Sequence, residues 1–176
     1  PLGHARNRDI ARRLQDPGLG FAQMWEAVAP DSRASCPDGF RSTNSGLEGH
    51  LCLRLREGQA LYASRLETRL YAAYLGATTE FNKAEGLSFD PERRRLYLAI
   101  SRIEGGMEDF ARKGKPTEEY DIGGNNDIRL PHNACGAVYA LDIVEDPRDE
   151  AGQRIDSDYV VGNMYPEVTG VPRDYT

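Results

Sequence analysis

Residues 85–101 read EGLSFDPERRRLYLAIS, and this stretch decides the fold because it has the form of two strands joined by a turn. An Asp-Pro pair begins the turn, and three arginines follow within it. Leu96, Leu98 and Ile100 would share one face of a strand, and Tyr97 and Ala99 make the opposite face apolar as well. This pattern predicts a hairpin whose second strand is buried on both faces.

Two further strands are predicted over 136–144 and 159–165, after a long acidic loop over 103–133. Strand, turn, strand, loop and strand is the arrangement of a β-propeller blade. We therefore expect a mainly β chain that forms part of a β-propeller. One clear four-stranded blade, antiparallel and in chain order, would follow short helices in the N-terminal part.

The N-terminal part carries helical patterns. Residues 4–16 predict a short helix, and an apolar stripe with helical spacing predicts a second helix that ends at Pro30. The stripe belongs either to the core or to a surface that docks on a partner. Residues 31–50 predict a loop and 51–56 a half-buried strand. Residues 66–76 fit either a helix or a strand, and the helix is favoured. The stripe consists of Phe21, Met24, Trp25 and Val28.

These patterns divide the chain into two regions. Residues 1–65 form a helical and loop segment with one strand, and residues 66–176 form the blade region. A blade takes about 40–50 residues and a propeller has about four to eight blades, so 176 residues are too few for a closed ring. We expect the chain to be a fragment of a longer polypeptide.

Composition limits the possible partners. The net charge is −6 at pH 7, whereas nucleic-acid surfaces are normally basic, so we expect no nucleic-acid partner. No stretch approaches the roughly 18 apolar residues of a membrane span, so we expect none. A site for an anionic substrate in so acidic a chain would need a bound cation.

The three cysteines allow more than one interpretation. Cys36 and Cys52 flank a loop rich in Gly, Ser and Asn, and they are either disulfide partners or two unrelated thiols. The disulfide is favoured if the protein is exported. Cys135 precedes a glycine at the start of a predicted strand, and we expect it to be a buried free thiol.

Glu85 begins the first predicted strand, where side chains from several blades would meet in a central channel. A buried carboxylate at this position is a candidate ligand for Ca²⁺ or iron, and the alternative is a carboxylate that accepts backbone N–H groups. Lys83 would point the same way in an extended segment. It is a candidate substrate contact, and the alternative is a plain surface lysine.

A second group of oxygen ligands lies at Asp121–Asp127. It does not follow the EF-hand spacing, so a cluster of Asx turns is favoured over a calcium site. The three histidines have no metal-binding spacing among themselves.

Several short motifs, in the same order, resemble the PhoX-type alkaline phosphatases, most of all their cyanobacterial and algal branch. They are Phe-x-Lys-x-Glu-Gly at 81–86, Asp-Pro at 90–91, Leu-Tyr-Leu-Ala at 96–99 and Leu-Pro-x-Asn-x-Cys-Gly-x-Val-Tyr at 130–139. The resemblance covers roughly residues 66–166.

The resemblance implies a propeller enzyme that hydrolyses phosphate esters at a site of calcium and iron ions. It implies that Glu85 is a metal ligand and that Lys83 contacts the phosphate of the substrate. Arginine stands at the lysine position in those enzymes, and a lysine lacks its bidentate fork. We expect an exported, periplasmic or organelle-lumen protein, with the remaining blades as partners of this one.

An alternative remains open, because the segments that supply a cysteine and further glutamate ligands in PhoX-type enzymes have no counterpart in this chain. The chain would then be a non-catalytic, propeller-like accessory subunit. It would dock on a larger assembly in a lumenal or exported compartment.

Overall fold

The computed structural model describes residues 6–46, 49–149 and 151–173, and the chain forms two compact units. The first unit comprises Pro1–Glu80 together with Thr117–Ile128. The second comprises Phe81–Pro116 together with Arg129–Thr176. The segment 117–128 therefore packs with the first unit, although both of its sequence neighbours belong to the second.

Four helices lie in the described part of the first unit. They are α1 (Asn7–Leu14), α2 (Phe21–Met24), α3 (Ala60–Leu66) and α4 (Thr68–Tyr74). The helix predicted over 66–76 is confirmed by α4, and the helix predicted over 4–16 is confirmed by α1 for the part described, since residues 4 and 5 lie outside the described residues. The second predicted helix is too long, because α2 ends at Met24 and the chain continues as a strand.

Three strands form the sheet of the first unit: β1 (Trp25–Val28), β2 (Arg41–Asn44) and β3 (His50–Leu55), in the order β1-β3-β2. The strand predicted over 51–56 is confirmed by β3. The prediction of a continuous loop over 31–50 is wrong, because β2 lies within it. Both errors have one cause: β3 offers hydrogen-bonding edges on both sides, and pairing across a sheet overrides local patterns.

Strand β1 also gains a charge pair from its partner. Glu26 lies opposite Arg54, and its carboxylate accepts hydrogen bonds from the guanidinium groups of Arg54 and Arg56. The pKa of Glu26 is lowered, chiefly by the hydrogen bond from Arg54. Opposite charges that face each other across two strands favour their pairing, which the helical spacing of the apolar stripe does not reveal.

The core of the first unit lies between its helices and its sheet. Trp25 and Leu53 are almost completely buried, and Trp25 packs edge-on against Tyr74 with ring centroids 5.1 Å apart. Burying an apolar side chain of this size stabilises a fold by about 1.5–3 kcal/mol. The other buried members of this cluster are Met24, Ala63 and Leu70.

The second unit is built mainly of strands. In chain order they are β4 (Ala84–Asp90), β5 (Arg95–Ile100), β6 (Ala111–Arg112), β7 (Lys115–Pro116), β8 (Ala137–Ile143) and β9 (Val161–Thr169). Strands β4, β5, β8 and β9 form one antiparallel sheet in this order, as predicted, and β6 pairs with β7. Strand exceeds helix in the chain, and none of the three sheets closes on itself within the described residues.

The turn between β4 and β5 is held by Asp90. Its Oδ1 accepts the N–H groups of Glu92 and Arg93 at 3.0 and 3.1 Å, and its Oδ2 accepts a hydrogen bond from the Arg93 side chain. This side-chain hydrogen bond lowers the pKa of Asp90 more than any other contact. An aspartate at the first position of a turn therefore fixes the hairpin, as the Asp-Pro pair predicts.

The start of β8 depends on a glycine. Gly136 has a φ of +64°, and a Cβ atom there would lie 1.9 Å from the Ile100 carbonyl oxygen. Only glycine combines this backbone conformation with so close an approach. The glycine that follows Cys135 is thus required for β8 to pair with β5.

Burial in this sheet differs from the sequence prediction. The residues of β5 are half-buried up to Ala99, and only Ile100 is fully buried, so the prediction of a strand buried on both faces is wrong. Strand β4 is exposed up to Phe89. The reason is its position, since no further strand pairs with the outer edge of β4 in the described chain.

Candidate functional site

Glu85 lies at an irregularity of β4. The pairing register with β5 shifts between Ala84 and Gly86, so Glu85 is a bulged residue without a direct partner. Its Oε1 accepts a hydrogen bond of 2.7 Å from Ser101 Oγ. Bulges often re-aim a side chain next to a functional site. The expectation that Glu85 is buried is wrong, because this edge strand leaves its side chain exposed.

Lys83 does not continue the strand. Its φ is +54°, in the left-handed region, and its carbonyl oxygen accepts the Ser101 N–H at 3.0 Å. The prediction that Lys83 lies in an extended segment and shares a face with Glu85 is therefore wrong. A residue in the left-handed region interrupts the alternation of an extended strand, and the Lys83 side chain is exposed.

Glu85 lines a shallow depression. Ser101, Cys135 and the end of β9 line it together with Glu85, whereas Lys83 is not among the lining residues. Cys135 is a free and exposed thiol, so the prediction of a buried thiol is wrong. Its Cβ lies close to Gly170, where a Cβ atom would be 2.6 Å away. The other lining residues are Ala99, Ile100, Ala137, Val138, Val168 and Gly170.

Sequence reasoning did not identify Ser101 or Cys135 as parts of this site. Ser101 follows β5 directly, and the antiparallel hairpin places that end beside the beginning of β4. Cys135 directly precedes Gly136, which approaches the same end of β5. The register of the predicted hairpin could have identified Ser101, because it brings residues near 85 and 101 together.

The donor set around Glu85 does not fit a complete calcium and iron cluster. One exposed carboxylate, one hydroxyl and one thiol line the depression, and such a cluster requires several carboxylates. Within the described residues, the one group of three His, Cys, Asp or Glu side chains close enough to share an ion is Cys36, His50 and Cys52 in the other unit. Its two cysteines are joined in a disulfide, so they are not thiolate ligands.

The disulfide decides between the two interpretations of Cys36 and Cys52. It links the loop before β2 to β3, and its Cα atoms are 5.3 Å apart. His50 lies beside it, with Nε2 2.8 Å from Ser42 Oγ, which in turn donates to the Gly123 carbonyl oxygen. Burial lowers the pKa of His50.

The acidic loop predicted over 103–133 contains ordered structure. Gly105–Met107 forms a 3₁₀ turn, followed by the β6–β7 hairpin. Glu108 is 2% exposed and accepts the N–H groups of Lys113 and Gly114 at 2.6 and 2.8 Å. A carboxylate that closes a hairpin in this way has a structural role.

No protein-family model, no curated protein and no solved structure matches this chain. No helix in the described ranges is both long and apolar enough to cross a membrane.

Proposed function

We propose that the second unit is a blade of a PhoX-like metal-dependent phosphatase, in which Glu85 is one ligand of a calcium and iron site and Lys83 contacts the phosphate ester. The observation that carries this proposal is the position of Glu85. A carboxylate that projects from a bulge, is oriented by Ser101 and borders an open depression is accessible to an ion.

The remaining ligands come from other blades in this proposal. The second unit provides one carboxylate at the depression, and its outer strand β4 is exposed. Further blades would cover the faces of the four-stranded sheet and bring carboxylates toward Glu85. The disulfide supports an exported, periplasmic or lumenal location for such an enzyme, because disulfides persist in oxidising compartments.

Variants of the full-length native polypeptide test the role of Glu85. Glu85→Gln keeps the shape of the side chain and removes its charge, so calcium and iron content should fall and phosphomonoesterase activity should drop by orders of magnitude. Glu92→Gln is the matched control, since Glu92 is an exposed carboxylate at the turn end of the same hairpin. Equal metal content and activity in the two variants would contradict the proposal.

Variants at Lys83 separate substrate binding from metal binding. Lys83→Ala should raise KM for a chromogenic phosphate ester and leave metal content unchanged, because a protonated ammonium group cannot bind a metal ion. Lys83→Arg should restore or raise activity by adding a bidentate phosphate contact. Loss of metal in Lys83→Ala would assign this residue a structural role instead.

A second function is favoured by a different observation. The outer strands expose large apolar side chains, with Leu87 64% and Val168 60% exposed, and Tyr159 just before β9 is 72% exposed. Such residues are typical of surfaces that a partner covers. The chain would then be a non-catalytic subunit docked on a larger assembly. Purification of the native complex distinguishes the two, since companion blades encoded by the same gene support the enzyme and unrelated partners support the subunit.

A further inference from the structure

The carboxylate of Glu80, in the first unit, is buried and bonded on one side only. Glu80 is 5% exposed. Its Oε2 accepts the hydroxyl of Thr78 at 2.6 Å and the N–H groups of Asp127 and Ile128 at 2.9 and 3.1 Å. Its Oε1 is buried and accepts no hydrogen bond from the residues that the structure describes. Among the described residues, one oxygen of this carboxylate thus has three donors and the other has none.

The Glu80 carboxylate also has no cationic side chain beside it among the described residues. No arginine, lysine or histidine of the described chain forms an ion pair with it. A carboxylate removed from water is costly unless a cation or a proton compensates it. The three donors occupy Oε2, which leaves Oε1 as the atom to which a cation would bind.

The surroundings of this carboxylate supply oxygen ligands. Asp127 and Ile128 end the oxygen-rich segment that begins at Asp121, and Asp121 is 3% exposed. Asn44 joins the two segments, because its carbonyl oxygen accepts a hydrogen bond from Thr79 and its amide donates to the Ile122 carbonyl oxygen. The residue before Asp127 is Asn126, whose amide adds a further oxygen.

We propose that Glu80 Oε1, together with the side-chain oxygens of Asp121 and Asn126, binds a calcium ion. All three are oxygen ligands, which suit Ca²⁺ and disfavour zinc and other metals that prefer nitrogen and sulfur. The ion compensates the buried charge of Glu80 and joins segment 117–128 to residues 78–80. This site belongs to the unit that does not contain Glu85, so it stands independently of the phosphatase proposal.

Calcium binding by the full 176-residue chain tests this site. The chain, stripped with a chelator, is titrated with Ca²⁺ while thermal unfolding is followed, and with Tb³⁺ while luminescence excited through tyrosine is followed. Calcium at about 100 times its Kd should raise the Tm by roughly 5–10 °C, and it should displace Tb³⁺. Glu118→Gln is the matched control, because it removes an exposed carboxylate from the same segment and should behave like the wild type.

Glu80→Gln should abolish both the rise in Tm and the luminescence. If this variant does not fold, Asp121→Asn carries the test, and its calcium affinity should fall at least tenfold. A wild-type chain whose Tm and luminescence do not respond to either ion would overturn the proposal. A response that Glu80→Gln or Asp121→Asn retains in full would also overturn it.

Discussion

The two units bury their residues in different ways. In the first unit, helices cover one face of a small sheet, and Trp25 and Leu53 are 1% and 0% exposed. In the second unit the sheet is larger, yet β4 is exposed up to Phe89 and β9 is mostly exposed. A sheet must bury its apolar face against a second layer, and the outer strands of the second unit have none in the described chain. The first unit therefore has a covered core, whereas the outer strands of the second unit leave apolar side chains exposed within the described residues.

The largest effect is expected from a substitution that disrupts the core of the first unit. Trp25→Ala should lower the free energy of unfolding of that unit by about 3–5 kcal/mol, because it leaves a cavity among buried side chains. Phe89→Ala, at a position 46% exposed in the second unit, should change stability by about 0.5 kcal/mol or less. Hydrogen exchange in urea, followed separately for each unit, measures both. Similar losses in the two variants would contradict the proposed difference between the units.

Removal of the disulfide should have the next largest effect. The double variant Cys36→Ser and Cys52→Ser should lose about 3 kcal/mol of stability in the first unit, because the unfolded chain gains the entropy of an open loop of this size. Cys135→Ser is the control, since its thiol is exposed and unbonded, and it should be neutral. A double variant as stable as the wild type would show that the disulfide does not stabilise this core.

Exposed apolar residues on β4 allow a test of the second unit. The chain expressed alone should be prone to aggregate, because Leu87 and Phe89 lie on an unpaired edge strand. Replacing both by lysine should raise the monomeric fraction several-fold in size-exclusion chromatography. Val171→Lys makes a similar change outside the strand and should have little effect. A wild-type chain that is already monodisperse would show that the second unit needs no cover.

The smallest expected effect concerns His50 and pH. Burial holds its pKa below the ordinary value of 6.5, so the unfolded chain binds this proton more readily than the folded chain does. The contribution of neutral His50 is therefore fully present above pH 6.5 and is lost as pH falls toward the folded pKa. His50→Gln should flatten the decline in stability of the first unit over this range. Urea unfolding at a series of pH values measures this decline. If wild type and His50→Gln lose stability with the same slope, the role of burial is contradicted.

The sequence predicted the four-stranded sheet because its signals are local. Asp90-Pro91 encodes the turn, and each strand carries its own apolar alternation. The strand at 25–28 could not be predicted in this way, because it depends on pairing with β3 and on Glu26 meeting Arg54. Patterns within a segment do not contain such long-range contacts.

The candidate site was predicted less completely than the sheet. Glu85 stands out by its place at the start of a strand, but its exposure depends on what covers β4. Ser101 and Cys135 reach the same depression through the hairpin register and the close approach at Gly136. No sequence pattern predicts a role for Glu80, because its burial arises only when segment 117–128 packs with the first unit.

The central claim, that Glu85 belongs to a metal-dependent phosphatase, is tested most directly by elemental analysis of the native full-length protein combined with hydrolysis of a chromogenic phosphate ester. The account predicts bound calcium and iron, together with an activity that disappears when the metals are chelated. A native protein that carries neither metal and hydrolyses no phosphate ester would contradict it, and the docked, non-catalytic subunit would then be the better account.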